Sequence, residues 1–172
     1  GLRLNQKLLN LTLLLSYKEV KNMEIKHFIS HRGNLKGPNL DEENRVEYIN
    51  NALSKGFECE IDVWYLKNQF FLGHDEPEEV VSLDFIIENE SMLWIHCKNL
   101  ESIQKFTEIE TPNFFWHEKD KYTLTSKNYI WTYPSQITEK RCIIVNLESS
   151  IPNGKYIGIC SDYISTIKEN IK

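Results

Sequence analysis

The chain has 172 residues, of which 41% are hydrophobic and 26% charged, with a formal net charge of −5. These figures describe an ordinary folded chain, long enough to bury a substantial core in one domain. The acidic balance and the lack of any long Lys/Arg cluster exclude a nucleic-acid binder that works by broad phosphate neutralisation.

In chain order, residues 8–15, "LLNLTLLL", are too short for a membrane span, and no A-x-A-like cleavage site follows them. Met23 directly precedes a strand-like run. Residues 1–22 therefore read as an N-terminal extension and residues 23–172 as a single domain. An amphipathic helix covering one end of that domain is the alternative reading of the extension. "KHFISH", Lys26 to His31, is the first predicted strand, and a polar loop follows it. "RVEYINNALSKG" predicts a helix, with Val46, Ile49, Ala52 and Leu53 on one face and Gly56 as its stop.

"FECEIDVWYLKNQFFLGHD", Phe57 to Asp75, predicts two strands joined by a tight turn at Lys67-Asn68, where Asn tolerates the left-handed conformation. Residues two apart in a strand share a face, so Cys59, Ile61 and Val63 take one face and Glu60 and Asp62 the other. Two carboxylates held side by side repel, and burying them unpaired is costly. Something positive must sit between them, either a Lys/Arg or a metal ion.

"LDFIIENE" is a short predicted helix. "MLWIHCK" is a strand with His96 and Lys98 on one face and Cys97 on the other, and "LESIQKFTEI" is a second clear amphipathic helix. "NFFWH", "YIWTYP", "RCIIVNLE" and "YIGICSDYI" are all strand-like and joined by short polar links. The alternation predicts a parallel α/β sheet or barrel. Because the later links are too short for full crossover helices, a barrel here is abridged relative to the regular one of about 250 residues. The four cysteines, Cys59, Cys97, Cys142 and Cys160, form no CxxC pair and lie in apolar runs. Buried free thiols and a reducing, cytoplasmic setting are expected.

Polar residues gather where these strands end: His31-Arg32, Glu60 and Asp62, His74-Asp75, His96 and Lys98. Carboxyl ends of strands are where parallel α/β folds build their sites. In this order, "HRGN", "DEEN", "FECEIDV" and "FFLGHD" resemble the glycerophosphodiester phosphodiesterase family, whose motif runs HRG, ENT, E-x-D and HD. "LWIHCK" resembles that family's "lxIEiK" strand, "YIWTYP" is similar to its "vxxWTvN" segment, and "IGICSDYI" to its closing "GIxTDxP". The likeness spans about Ile29 to Ile164.

The resemblance implies an abridged TIM-type (β/α) barrel of the phosphatidylinositol-phospholipase-C-like phosphodiesterase kind. It implies a metal-dependent hydrolase of glycerophosphodiesters, with His31 and His74 as the general acid–base pair. Glu60 and Asp62 match ligands of a divalent cation, commonly Mg²⁺ or Ca²⁺. Arg32 and Lys98 match residues that face the phosphate. Glu43 and Asn44 match the first two positions of ENT, a substrate or metal-shell position, with Arg45 in place of the usual Thr. His96 stands where the family has a third carboxylate ligand. As a ligand itself, it removes one negative charge and tilts the site toward Mn²⁺ or Zn²⁺.

The implied partner is a small-molecule phosphodiester, with no nucleic acid and no membrane span. A catalytically inactive domain that kept the fold and binds a phosphorylated ligand is the alternative. A nucleophile enzyme using Cys97 beside His96 fails, since adjacent strand residues face opposite sides. Trp116, His117, Trp131 and Tyr133 are further candidates for the pocket wall, with core packing expected for both tryptophans.

Overall fold

The elements follow from the same alternation. Their order is β1 (His27–His31), α1 (Val46–Ser54), β2 (Glu58–Leu66), β3 (Gln69–Leu72), β4 (Glu79–Val81), α2 (Leu83–Glu88) and β5 (Leu93–Cys97). Then come α3 (Leu100–Ile109), β6 (Asn113–Trp116), β7 (Tyr122–Leu124), β8 (Ile130–Thr132), β9 (Cys142–Val145), β10 (Gly158–Ser161) and α4 (Ile164–Ile171). The computed structural model describes residues 24–110 and 112–171, so the expectations for residues 1–22 and for Met23 lie outside the described residues.

Seven strands pair in parallel in the order β6-β5-β2-β1-β10-β9-β8. β3 and β4 continue from β2 as antiparallel strands, and β7 is antiparallel to β8. Along one edge, opposite the one that β5 occupies, the long strand β2 serves two neighbours in turn. Its first residues lie beside β1, with Glu60 opposite His31, and its last four pair with β3. The turn between β2 and β3 has positive φ at both Lys67 (49°) and Asn68 (63°), the requirement of a two-residue type I′ hairpin.

One face of the sheet packs against helices. Cys59, Ile61, Val63, Leu93 and Ile95 meet Ile49 of α1, Ile86 of α2 and Phe106 of α3. Further along, Cys142, Ile144 and Ile159 meet Ile164 and Ile167 of α4. The other face gathers Ile29, Trp94, Phe115, Trp131, Ile143 and Cys160, one residue from each of six parallel strands, into a single cluster. Phe115 and Trp131 stack at 4.6 Å although β6 and β8 stand at opposite ends of the seven-strand order. The sheet is therefore curled until its ends meet.

Hydrogen bonding does not close that curl. Between β6 and the segment carrying β7 there is no ladder among the described residues. Single bonds cross instead, from Ser126 N–H to Phe114 O (2.8 Å), from Phe114 N–H to Ser126 Oγ (3.0 Å) and from Thr123 Oγ1–H to Trp116 O (2.8 Å). Where the sequence predicted an abridged barrel, the strand pairing gives a mixed α/β fold, a ten-stranded sheet with four helices among the described residues. All four cysteines are free and buried, as expected. Among the described residues no helix is long and apolar enough to cross a membrane.

Candidate active site

At the end of β1 the backbone turns through Arg32, whose φ is +53°. This brings its guanidinium to β2, with Nε 2.9 Å from Asp62 Oδ2, while an Nη1–H donates to Glu43 Oε2 at 3.1 Å. Asn44, also at positive φ (59°), clamps Asp62 twice. Its amide donates to Asp62 Oδ2 at 2.9 Å, and its own oxygen accepts the Asp62 N–H at 3.0 Å. Glu43 and Asn44, predicted as substrate or phosphate contacts, thus hold Arg32 and Asp62 and do not line the cavity described below.

Alternation along β2 places Glu60 and Asp62 together on the concave face, both buried. β5 brings His96 directly opposite Asp62. The His96 ring stacks on Phe115 at 5.2 Å, and its Nε2 is 2.8 Å from the carbonyl oxygen of His117. A carbonyl can only accept, so Nε2 carries the proton. His96 Nδ1 then faces Asp62 Oδ1 at 2.9 Å and Glu60 Oε1 at 3.9 Å. In that tautomer a lone pair faces two carboxylates, an arrangement that a cation among the three would satisfy. A metal-ligating histidine has this same arrangement, its second nitrogen donating to a carbonyl.

Two buried oxygens sharpen the point. Glu60 Oε2 has no hydrogen-bond partner among the described residues, and Asp62 Oδ1 has two nitrogens near it, His96 Nδ1 at 2.9 Å and Lys98 Nζ at 3.4 Å. One ligand atom from each of Glu60, Asp62 and His96 falls within 4.8 Å of the others, so the three could hold one ion. The two carboxyls are driven apart. Burial and the Asp62 charge raise the pKa of Glu60. Burial also opposes the charge of Asp62, but His96, Arg32 and Lys98 outweigh it and hold that carboxyl well below the ordinary range.

His31 and His74 are also pushed in opposite directions. His31 Nδ1 bonds Asp162 Oδ1 at 2.7 Å, leaving Nε2 toward the cavity, 3.8 Å from Glu60 Oε2. Burial works against its charge, but the Asp162 hydrogen bond and the Glu60 carboxylate outweigh that, and its pKa is raised. His74 sits on the turn after β3, half exposed, with Nδ1 2.8 Å from Asp75 Oδ1. Burial and the Arg32 charge lower its pKa.

His31, Arg32, Glu60, His74, His96 and Lys98 all line one cavity of about 410 Å³ at the carboxyl ends of the strands. His117, Trp131 and Tyr133 line its other side. Trp131 is also a core residue, 4% exposed, as expected. Trp116 is not, since it alternates away from Phe115 and is 36% exposed.

Sequence reasoning missed Asp162 and Asn34. Asp162 follows β10 directly, at a strand end like His31, and that position was the available signal. Asn34 is a buried hub that donates to both Glu43 (2.7 Å) and Asp162 (2.8 Å) and accepts from Tyr48 (3.2 Å). Nothing in its local sequence marks it. Comparisons of the chain with protein-family models, with curated proteins and with solved structures found no match.

Proposed function

We propose that this chain is a metal-dependent phosphodiesterase that hydrolyses a glycerophosphodiester-like substrate on an abridged (β/α) barrel. One observation carries the reading. Two histidines biased toward opposite protonation states line the same cavity as Arg32, Lys98 and the Glu60/Asp62/His96 cluster. The stacking of Phe115 on Trp131 across the ends of the curled sheet supports the barrel. The motif order quoted above supplies the substrate class.

Glu60, Asp62 and His96 would hold the cation. The two carboxylates suit Mg²⁺ or Ca²⁺, and the imidazole admits Mn²⁺ or Zn²⁺. When bound, a divalent cation supplies neutralising charge for a non-bridging phosphate oxygen.

The chain's own residues do the rest. Arg32 and Lys98 hold phosphate oxygens. His74, with its lowered pKa, is neutral near pH 7 and takes a proton from the attacking water, whose oxygen forms the new P–O bond as the ester P–O bond breaks. His31, whose hold on its proton Asp162 strengthens, gives a proton to the leaving alkoxide. Environments that push two titratable groups apart are the usual mark of an acid–base pair.

A second reading has one observation in its favour. Arg32 and Lys98 both stand beside Asp62, so the site has its own positive charges there. In that case the domain binds a phosphorylated ligand without turnover. The readings separate in an assay of glycerophosphodiester hydrolysis by ³¹P NMR, with and without Mg²⁺, Ca²⁺, Mn²⁺ or Zn²⁺. The enzyme reading expects hydrolysis that depends on the cation. His31→Ala and His74→Ala should each lose about 10²–10⁴-fold in rate at unchanged thermal melting. No hydrolysis with any of these cations, together with retained phosphomonoester binding, would favour the binding domain.

A further inference from the structure

The amino ends of the parallel strands enclose a second cavity, of about 230 Å³. Alternation builds it from the same inner face of the sheet as the candidate active site. His27 precedes Ile29 and His31 on that face of β1, Asn113 precedes Phe115 on β6, and Tyr129 precedes Trp131 at β8. The inner cluster of Ile29, Trp94, Phe115 and Trp131 therefore lies between the two cavities.

The polar groups of this second cavity are unevenly satisfied. Glu58, the first residue of β2, accepts from His27 Nδ1–H at 2.9 Å and from the Trp94 indole N–H at 2.6 Å. Glu90 and Asn113, which also line the cavity, fare differently. Glu90 Oε2 and Asn113 Oδ1 are both buried and accept no hydrogen bond among the described residues, and Asn113 as a whole is only 9% exposed. Lys127 is a further lining residue, but its Nζ–H donates to Glu110 O at 3.2 Å. Buried acceptors without donors cost free energy, and a ligand that brings the donors recovers it. One bridging water would leave most of the space empty, since a water takes up about 30 Å³.

One of the two unpaired acceptors is a carboxylate, so the donor that matches it best carries positive charge. A divalent metal does not fit. Among the described His, Cys, Asp and Glu side chains, only Glu60, Asp62 and His96 bring three ligand atoms within 4.8 Å of one another. We infer that the cavity binds a small primary ammonium compound. Its N–H groups donate to Glu90 Oε2 and Asn113 Oδ1, and its carbon chain lies against the rings of Trp94 and Tyr129. The site shares no lining residue with the candidate active site, so the inference stands apart from the phosphodiesterase reading.

The test titrates n-butylammonium into the full chain and follows the tryptophan indole N–H signals by NMR. The Trp94 signal should move. The Trp64 signal, from an N–H bonded to Gly73 O beside the active-site turn, should not. Tetramethylammonium has the charge but no N–H to donate, and should bind at least tenfold more weakly. Glu90→Gln and Asn113→Leu should each weaken n-butylammonium binding tenfold or more, whereas Asn113→Asp and Glu60→Gln should keep it. The two wild-type comparisons decide the matter even where a variant fails to fold. A Trp94 signal that stays still, or equal binding of the two cations, would overturn the inference. Movement of Trp64 instead, with binding lost on Glu60→Gln, would place the cation in the active site and overturn it as well.

Discussion

At His31 the two ring nitrogens face different carboxylates, Asp162 at 2.7 Å from Nδ1 and Glu60 at 3.8 Å from Nε2. The Asp162 pair has a defined pH window. Burial opposes the charge of Asp162, but His31, Asn34 and Arg32 outweigh it and lower its pKa from the ordinary 3.8. Its contribution to stability is complete above that value and lost as pH falls through the folded one. The pKa of His31 is raised from the ordinary 6.5, so its contribution is complete below 6.5 and lost as pH rises through the folded value. Asp162→Asn should therefore cost about 1.5–3 kcal/mol between pH 4 and 6.5 and progressively less above, measured by urea unfolding in chelator. A cost that does not change from pH 5 to 9 would remove the charge pairing. Glu60 and Asp62 were legible because a period-two rule assigns their face without any knowledge of the fold. Asp162 is 131 residues from His31 in the chain, so no local pattern could pair them.

Elements position these residues through a few turns. Trp64 of β2 donates its indole N–H to Gly73 O at 2.7 Å, pinning the turn that carries His74. Gly73 has φ +146°, and a Cβ there would strike the Glu76 carbonyl oxygen and the Glu78 backbone nitrogen. Backbone strain of this kind costs of order 1–3 kcal/mol. Gly73→Ala should lose about that much stability in denaturant melts and reduce hydrolysis through a displaced His74. Unchanged melting and turnover would show that the turn does not set the histidine. The I′ hairpin at Lys67-Asn68 was readable from the Asn and the flanking alternation. Trp116 was not, because alternation along β6 assigns its face but does not say how far that face is covered at the end of the parallel order.

Over the whole molecule, strands distant in sequence meet through one inner cluster. Trp131 stacks on Phe115, which in turn stacks on His96. Trp131→Ala should cost about 3–5 kcal/mol in stability, the usual cost of emptying a buried aromatic site. A loss below 1 kcal/mol would mean that the curled sheet does not depend on this contact. The α/β alternation and most strand positions were visible in the sequence. The seam was not, because whether β6 joins β7 by a ladder or by single bonds depends on the geometry of closure. What separates a hydrolase from a salt-bridged binding domain is a cation held by Glu60, Asp62 and His96. Isothermal titration of the full chain with Mg²⁺, Ca²⁺ and Mn²⁺ reads this directly, on wild type and on Glu60→Gln. The account predicts one cation per chain on wild type and a loss of affinity of tenfold or more on the variant. Equal binding by the two proteins, or no binding by wild type, would contradict it.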